Sequence, residues 1–205
     1  DEFGIEPWEV AWRTGGLEET GREERTPINL PEKFDCQRIG PDQTLSGMLE
    51  SGELDGVICP PVPSCLQRGA ANVGRLWPNF RAAEQDYFRR SGIFPIMHIL
   101  GVEKSLAAKY PWLPANLYKA FRHSKDLAFT DLEAQGALKV SLPWVTAELE
   151  ETRALMGPDV WSYGVEENRT AIEAVIRYSA EQSLTEPGLK LEDLFAETTL
   201  QTARS

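Results

Sequence analysis

Only two histidines occur in the chain's 205 residues. One of them, His98, stands inside the apolar run IFPIMHILGV (93–102). Imidazole titrates near neutrality and serves as a general acid or base, so His98 is the first candidate for proton transfer. The plainer reading is a histidine that satisfies a backbone group at a strand edge. His123 falls between Arg122 and Lys125 in a charged helical pattern and reads as part of a solvated face. Arg13, Arg22 and Arg25 lie in WRTGGLEETGREER, around a double glycine. Guanidinium groups match carboxylates bidentately. Arg22 and Arg25 are therefore candidates to hold a carboxylate ligand. Their alternative is pairing with Glu18, Glu19, Glu23 and Glu24 on a solvated loop. Arg75 accompanies Trp77 in GRLWPN, and Trp161 accompanies Tyr163 in MGPDVWSYGVEENR. Such aromatics stack on a planar ligand or cap a hydrophobic core, and the sequence weighs the two evenly.

These residues need elements to hold them. VAWRTGG (10–16) reads as a short strand ending at a glycine turn, with a polar excursion after it. Leu45, Met48 and Leu49 follow helical spacing, and Gly52 stands where a helix C-cap belongs. LDGVIC then reads as a buried strand stopped by Pro60 and Pro61. Helix, glycine and buried strand together are an α/β pattern. NFRAAEQDYFRRSG predicts a helix closed by Gly92, and IFPIMHILGV the next strand. A longer amphipathic helix follows, with Leu117, Ala120, Phe121, Leu127 and Ala128 as its apolar face. Two further helices cover PWVTAELEETRALMG, closed by Gly157, and NRTAIEAVIRYSAEQSL, with Asn168 as a candidate N-cap. The strands are few and the second half is mainly helical.

Composition narrows the classes of function. Lysines and arginines number 21 against 32 aspartates and glutamates, a net charge of −11. So acidic a chain argues against nonspecific nucleic-acid binding. It leaves room for an anionic small molecule, because a local arginine cluster overrides the global sign. No apolar run has the length of a membrane span, and no signal-peptide pattern is seen. The three cysteines, Cys36, Cys59 and Cys65, show no C-x-x-C spacing, which speaks against a zinc ribbon or a thioredoxin-type site and for reduced thiols in a cytoplasmic protein. A phosphate-binding glycine loop, a nucleophile elbow and an HExxH metal motif are all missing.

Taken in order, WRTGGLEETGREER, GELDGVICPPVP, GRLWPN, GIFPIMHILGV, PWLPANLYKAF and MGPDVWSYGVEENR resemble the 4,5-dihydroxyphthalate decarboxylase family over nearly the whole chain. The resemblance implies a two-lobe α/β fold like that of type II periplasmic binding proteins, with a ligand cleft between the lobes. The first lobe would lack its N-terminal part here. Residues 1–95 would form one α/β lobe, and residues 96–205 a crossover strand with a mainly helical return segment. The implied activity is that of a carboxy-lyase acting without a cofactor on a small aromatic carboxylate, an aromatic dicarboxylic acid that the resemblance identifies as 4,5-dihydroxyphthalate, giving 3,4-dihydroxybenzoate; no residue is singled out as a metal ligand. In that reading His98 handles the proton, and Arg22, Arg25, Arg75, Trp161 and Tyr163 bind the substrate. The competing function is a solute-binding module of the same fold, which captures an anion without chemistry.

Overall fold

The computed structural model describes residues 3–23, 29–134, 136 and 139–200. The chain divides into two compact units: Asp1–Ala83 with Ser179–Glu186, and Glu84–Tyr178 with Pro187–Ser205.

The first unit is built on a short parallel ladder. β1 (Trp12–Thr14) pairs with β2 (Cys36–Arg38) in the register Trp12 to Cys36, Arg13 to Gln37 and Thr14 to Arg38. β1 is the strand expected from VAWRTGG. β2 has no counterpart in the sequence reading, because all three of its residues are exposed and polar alternation marks nothing there. α1 (Leu45–Ser51) forms where its spacing and caps place it. The Thr44 hydroxyl accepts from the Gly47 amide at 3.1 Å, and Gly52 adopts the left-handed conformation at φ 81° that ends the helix. The loop after β1 completes the start of α1: the amides of Leu45 and Ser46 donate to the carbonyls of Gly16 and Leu17, each at 3.0 Å. α2 (Ser64–Gln67) follows and packs on α1.

Two expected strands do not form. LDGVIC is irregular, and Ile58 within it is 87% exposed. IFPIMHILGV is also irregular, with Met97, Ile99 and Leu100 more than half exposed. An apolar run becomes a strand only when a neighbour takes its backbone hydrogen bonds. Among the described residues the one sheet contains β1 and β2 alone, and neither run pairs with it. His98 is therefore exposed and not held by a sheet.

The second unit is helical. It comprises most of α3 (Phe80–Ser91), then α4 (Lys104–Lys109), α5 (Leu113–Glu133), α6 (Val145–Met156), most of α7 (Arg169–Glu181), α8 (Leu191–Leu194) and α9 (Glu197–Leu200). Its core gathers Val165, Ile172 and Leu191, with Ile176, Phe195 and Leu200 packed against them. α5 packs on α6 and α9. The face α5 covers differs from the one expected. Of the expected face Leu117 is half-buried, whereas Ala120, Phe121, Leu127 and Ala128 are exposed. The covered stripe runs instead through Pro114, Tyr118, Lys125, Phe129 and Leu132, at spacings of three, four and seven. Lys125 lies in the middle of that stripe, and a charge there hides the helix's true inner face from a count of apolar residues. Among the described residues the chain combines helices with a small two-stranded parallel sheet, which is compatible with an α/β class.

Candidate functional site

In the first unit, the glycine-rich loop after β1 is held from several sides. Arg13 donates through Nη1 to the Trp12 carbonyl at 2.7 Å and to Asp35 at 3.4 Å. Arg38, on β2, donates through Nη2 to the carbonyls of Gly21 and Arg22, both at 3.0 Å. Its Nη1 meets Glu23 at 3.2 Å. The loop glutamates are thus not simply partners of the loop arginines. Glu23 pairs with Arg38, a residue the sequence reading passed over, and the Arg22 side chain is exposed while its own carbonyl is fixed. Arg25 lies outside the described residues.

Glu18 ties this loop to α2. Its carboxylate accepts from the Ser64 amide and from the Ser64 hydroxyl, each at 2.7 Å. Arg68 donates to the same hydroxyl at 3.0 Å and pairs with Glu50 at 2.7 Å. The buried Ser46 hydroxyl lies 3.2 Å from that of Ser64 and accepts from the Cys65 amide at 3.4 Å. The Ser64 amide, then its hydroxyl, hold the Glu18 carboxyl below the usual glutamate range. A lowered carboxyl pKa contributes stability that is whole above the unfolded-state value and is lost as pH falls through the folded-state one. Glu18→Gln should therefore be less stable than the parent near neutrality, and the difference between their urea midpoints should shrink on acidification. A difference that stays constant down to about pH 3, below the ordinary glutamate pKa, would show that the carboxylate charge contributes nothing. Burial pushes the Cys59 thiol up, with Cys65 and Glu18 adding to the rise, so Cys59 is held as the protonated, weakly nucleophilic form.

Arg75 takes part in a separate contact of the same unit. Its guanidinium lies 4.9 Å from the centre of the Phe80 ring, and Trp77 meets Phe3 at 6.3 Å. Both Arg75 and Trp77 are exposed.

In the second unit the structure brings together two of the segments singled out by sequence. The rings of Phe94 and Trp161 meet edge to face at 5.3 Å. Phe94 belongs to the His98 segment, four residues before the histidine. Trp161 belongs to the loop between α6 and α7, which also carries Tyr163. Lys125 reaches this loop from α5. Its Nζ donates to Asp159 at 2.6 Å and to the Trp161 carbonyl at 3.1 Å, and lies 5.1 Å from the centre of the Tyr163 ring. Tyr118, about two turns earlier on α5, donates through its hydroxyl to the Tyr163 carbonyl at 3.4 Å. Asn168 braces the loop from the other end, its amide donating to the carbonyls of Ser162 and Gly164 at 3.0 and 2.8 Å. Gly164 has φ 114°, and a Cβ there would lie 2.3 Å from Glu167 and 3.3 Å from the Tyr118 hydroxyl. Lys125, Tyr118 and Asn168 were not among the sequence candidates. No local sequence signal marks Lys125, because its partners Asp159 and Trp161 lie 34 and 36 residues further along the chain.

Among the described residues, no three His, Cys, Asp or Glu side chains gather closely enough to hold a metal ion, and no helix is long and apolar enough to cross a membrane.

No family model matches the chain. Over 201 residues, 98% of this chain and 61% of the relative, it is 38% identical to a 4,5-dihydroxyphthalate decarboxylase of Comamonas testosteroni. Over 89 residues, 43% of this chain and 34% of the relative, it is 40% identical to a 4,5-dihydroxyphthalate decarboxylase of Pseudomonas putida. The chain thus spans 61% of the first relative's length. The resemblance carried by the six ordered motifs is borne out: 4,5-dihydroxyphthalate decarboxylases are what nearly the whole of this chain is similar to.

Proposed function

We propose that the protein removes one carboxylate from 4,5-dihydroxyphthalate and gives 3,4-dihydroxybenzoate and carbon dioxide. The observation that carries this reading is the identity of 38% to a decarboxylase of that name along 98% of the chain. The chemistry suits the residues at hand. Each carboxylate of this substrate has a hydroxyl para to it. Ionisation of that hydroxyl pushes an electron pair toward the ring carbon that bears the carboxylate. A proton added there gives a dienone. Loss of carbon dioxide then returns the bonding pair to the ring and restores aromaticity. One proton is taken up, and no electron enters or leaves.

Such a reaction asks for a proton donor, a base for the phenol and cations for the carboxylates. His98 is the proposed proton carrier. Arg22 and Arg25 are the proposed carboxylate ligands, with Arg75 in support, and Trp161 and Tyr163 are proposed to lie against the aromatic ring. The fold proposed to hold them is the two-lobe type II binding-protein arrangement, divided near residue 95. Three unbridged cysteines suit a reducing compartment, and the cytoplasm is the proposed location.

The test is to incubate the purified protein with 4,5-dihydroxyphthalate, trap the released gas and separate the products by chromatography. Carbon dioxide and 3,4-dihydroxybenzoate in equal amounts support the reading. Calorimetric binding without gas release overturns it in favour of a capture module. Neither binding nor release overturns both.

A further inference from the structure

The loop between α6 and α7 satisfies its backbone in an unusual way. Four consecutive carbonyls, those of Trp161, Ser162, Tyr163 and Gly164, each accept from a side chain: Lys125, Asn168, Tyr118 and Asn168 in turn. The Ser162 hydroxyl also donates to Asn168 Oδ1 at 3.3 Å. A segment without helix or strand is thereby pinned carbonyl by carbonyl. Yet the Trp161 indole at its tip remains 44% exposed. An exposed aromatic on a fixed backbone is what a planar ligand needs, since little ordering remains to be done when it binds.

Lys125 is the costly member of this arrangement. Its side chain is 8% exposed and occupies the middle of the covered stripe of α5. A charge taken out of water is expensive unless fully paired, and an aliphatic residue would fill the same stripe at less cost. The ammonium has three donors. One goes to Asp159, one to the Trp161 carbonyl, and the third direction is left for the face of the Tyr163 ring. With these occupied, Lys125 is set to orient the loop and not to hold a ligand carboxylate.

We infer that Lys125 is the positioning residue of the aromatic loop, fixing Trp161 and Tyr163 so that they receive the ring of the aromatic carboxylate. This rests on the decarboxylase reading for the identity of the ligand, but not for the orientation of the loop. It acts through Asp159, the Trp161 carbonyl and the Tyr163 ring.

The experiment compares Lys125→Met and Lys125→Arg with the parent, using the whole chain. Two readouts are taken on folded protein. The first is acrylamide quenching of Trp161 fluorescence, obtained as the difference between each protein and the same protein carrying Trp161→Phe. The second is the dissociation constant for 4,5-dihydroxyphthalate by calorimetry, with kcat and KM where turnover is seen. Lys125→Met should raise quenching of Trp161 and weaken affinity by about tenfold, the scale of re-ordering two loosened side chains at each binding event. KM should rise more than kcat falls. Lys125→Arg, which keeps the charge, should recover part of both. A lower melting temperature with unchanged quenching and unchanged affinity would overturn the inference and leave Lys125 a purely structural residue. If the parent neither binds nor converts 4,5-dihydroxyphthalate, the functional reading fails, and quenching alone still decides the role of Lys125.

Discussion

Exchange of His98 for glutamine should slow carbon dioxide release from 4,5-dihydroxyphthalate by about 10²–10⁴-fold, the range for loss of a general acid or base, while affinity for the substrate changes little. The surroundings of His98 sharpen the test. The residue is exposed in an irregular segment, so it is not the backbone staple at a strand edge that the sequence alone allowed. Glutamine in its place should cost little stability. By contrast, a structural hydrogen bond would contribute roughly 1 kcal/mol. The segment is nonetheless anchored to the aromatic loop, because Phe94, four residues upstream, meets Trp161 ring to ring. Turnover and melting temperature should be measured together. Normal turnover at an unchanged melting point would remove His98 from the reaction. Normal turnover at a lowered one would return it to a structural role.

What the sequence shows and what it hides follow from where the energy of each element comes from. α1 was legible because its signals are local: apolar residues one turn apart, and a glycine that takes φ 81°. The helix at 113–133 was legible as an amphipathic helix from its apolar spacing, although no side chain caps its start. Its inner face was not, because Lys125 counts as polar in any apolar tally although its charge is satisfied by Asp159 and a carbonyl from a distant loop. LDGVIC and IFPIMHILGV have the composition of strands, but a strand is a property of two segments, and composition reports only one. β2 shows the converse. Cys36, Gln37 and Arg38 carry no apolar signal, and they pair because Trp12, Arg13 and Thr14 lie alongside.

The site was legible to a similar degree. Trp161 and Tyr163 stood out by type, and both sit in a loop pinned by side chains. The residues that pin it, Lys125, Tyr118 and Asn168, are spread over 50 positions of the chain and become a group only in space. For the arginines, the sequence offered two alternatives, substrate ligand or partner of nearby glutamates. The structure introduces a third participant, Arg38, which takes Glu23 and the carbonyls of Gly21 and Arg22. Arg22 is thereby presented on a fixed backbone with its side chain outward, the geometry its proposed role needs.

Gly16→Ala should be the most damaging small substitution in the first unit. A Cβ at Gly16 would lie 1.9 Å from the Glu19 carbonyl oxygen, 3.0 Å from the carbonyl carbon and 3.1 Å from Arg22 Cβ. The obstacle is backbone, so no side chain can swing away to relieve it. Moving the loop breaks other bonds in turn: the carbonyls of Gly16 and Leu17 accept the first amides of α1, and Glu18 beside them holds Ser64. Overpacking of this kind costs roughly 1–3 kcal/mol, and the upper end applies where backbone must yield. For a chain of this length each 1 kcal/mol lowers the melting temperature by about 2–4 °C, so a drop of about 6–12 °C is expected by circular dichroism. Gly15 is the control. A Cβ there would meet Cγ1 and Cδ1 of the buried Ile39 side chain, both at 2.5 Å. That obstacle is a single side chain and not backbone, so Ile39 can shift at the cost of its own packing, and Gly15→Ala should cost less than Gly16→Ala. Equal drops for the two variants would mean that the loop relaxes as easily as a side chain, and would remove the rigid presentation of Arg22 that its role as a carboxylate ligand requires.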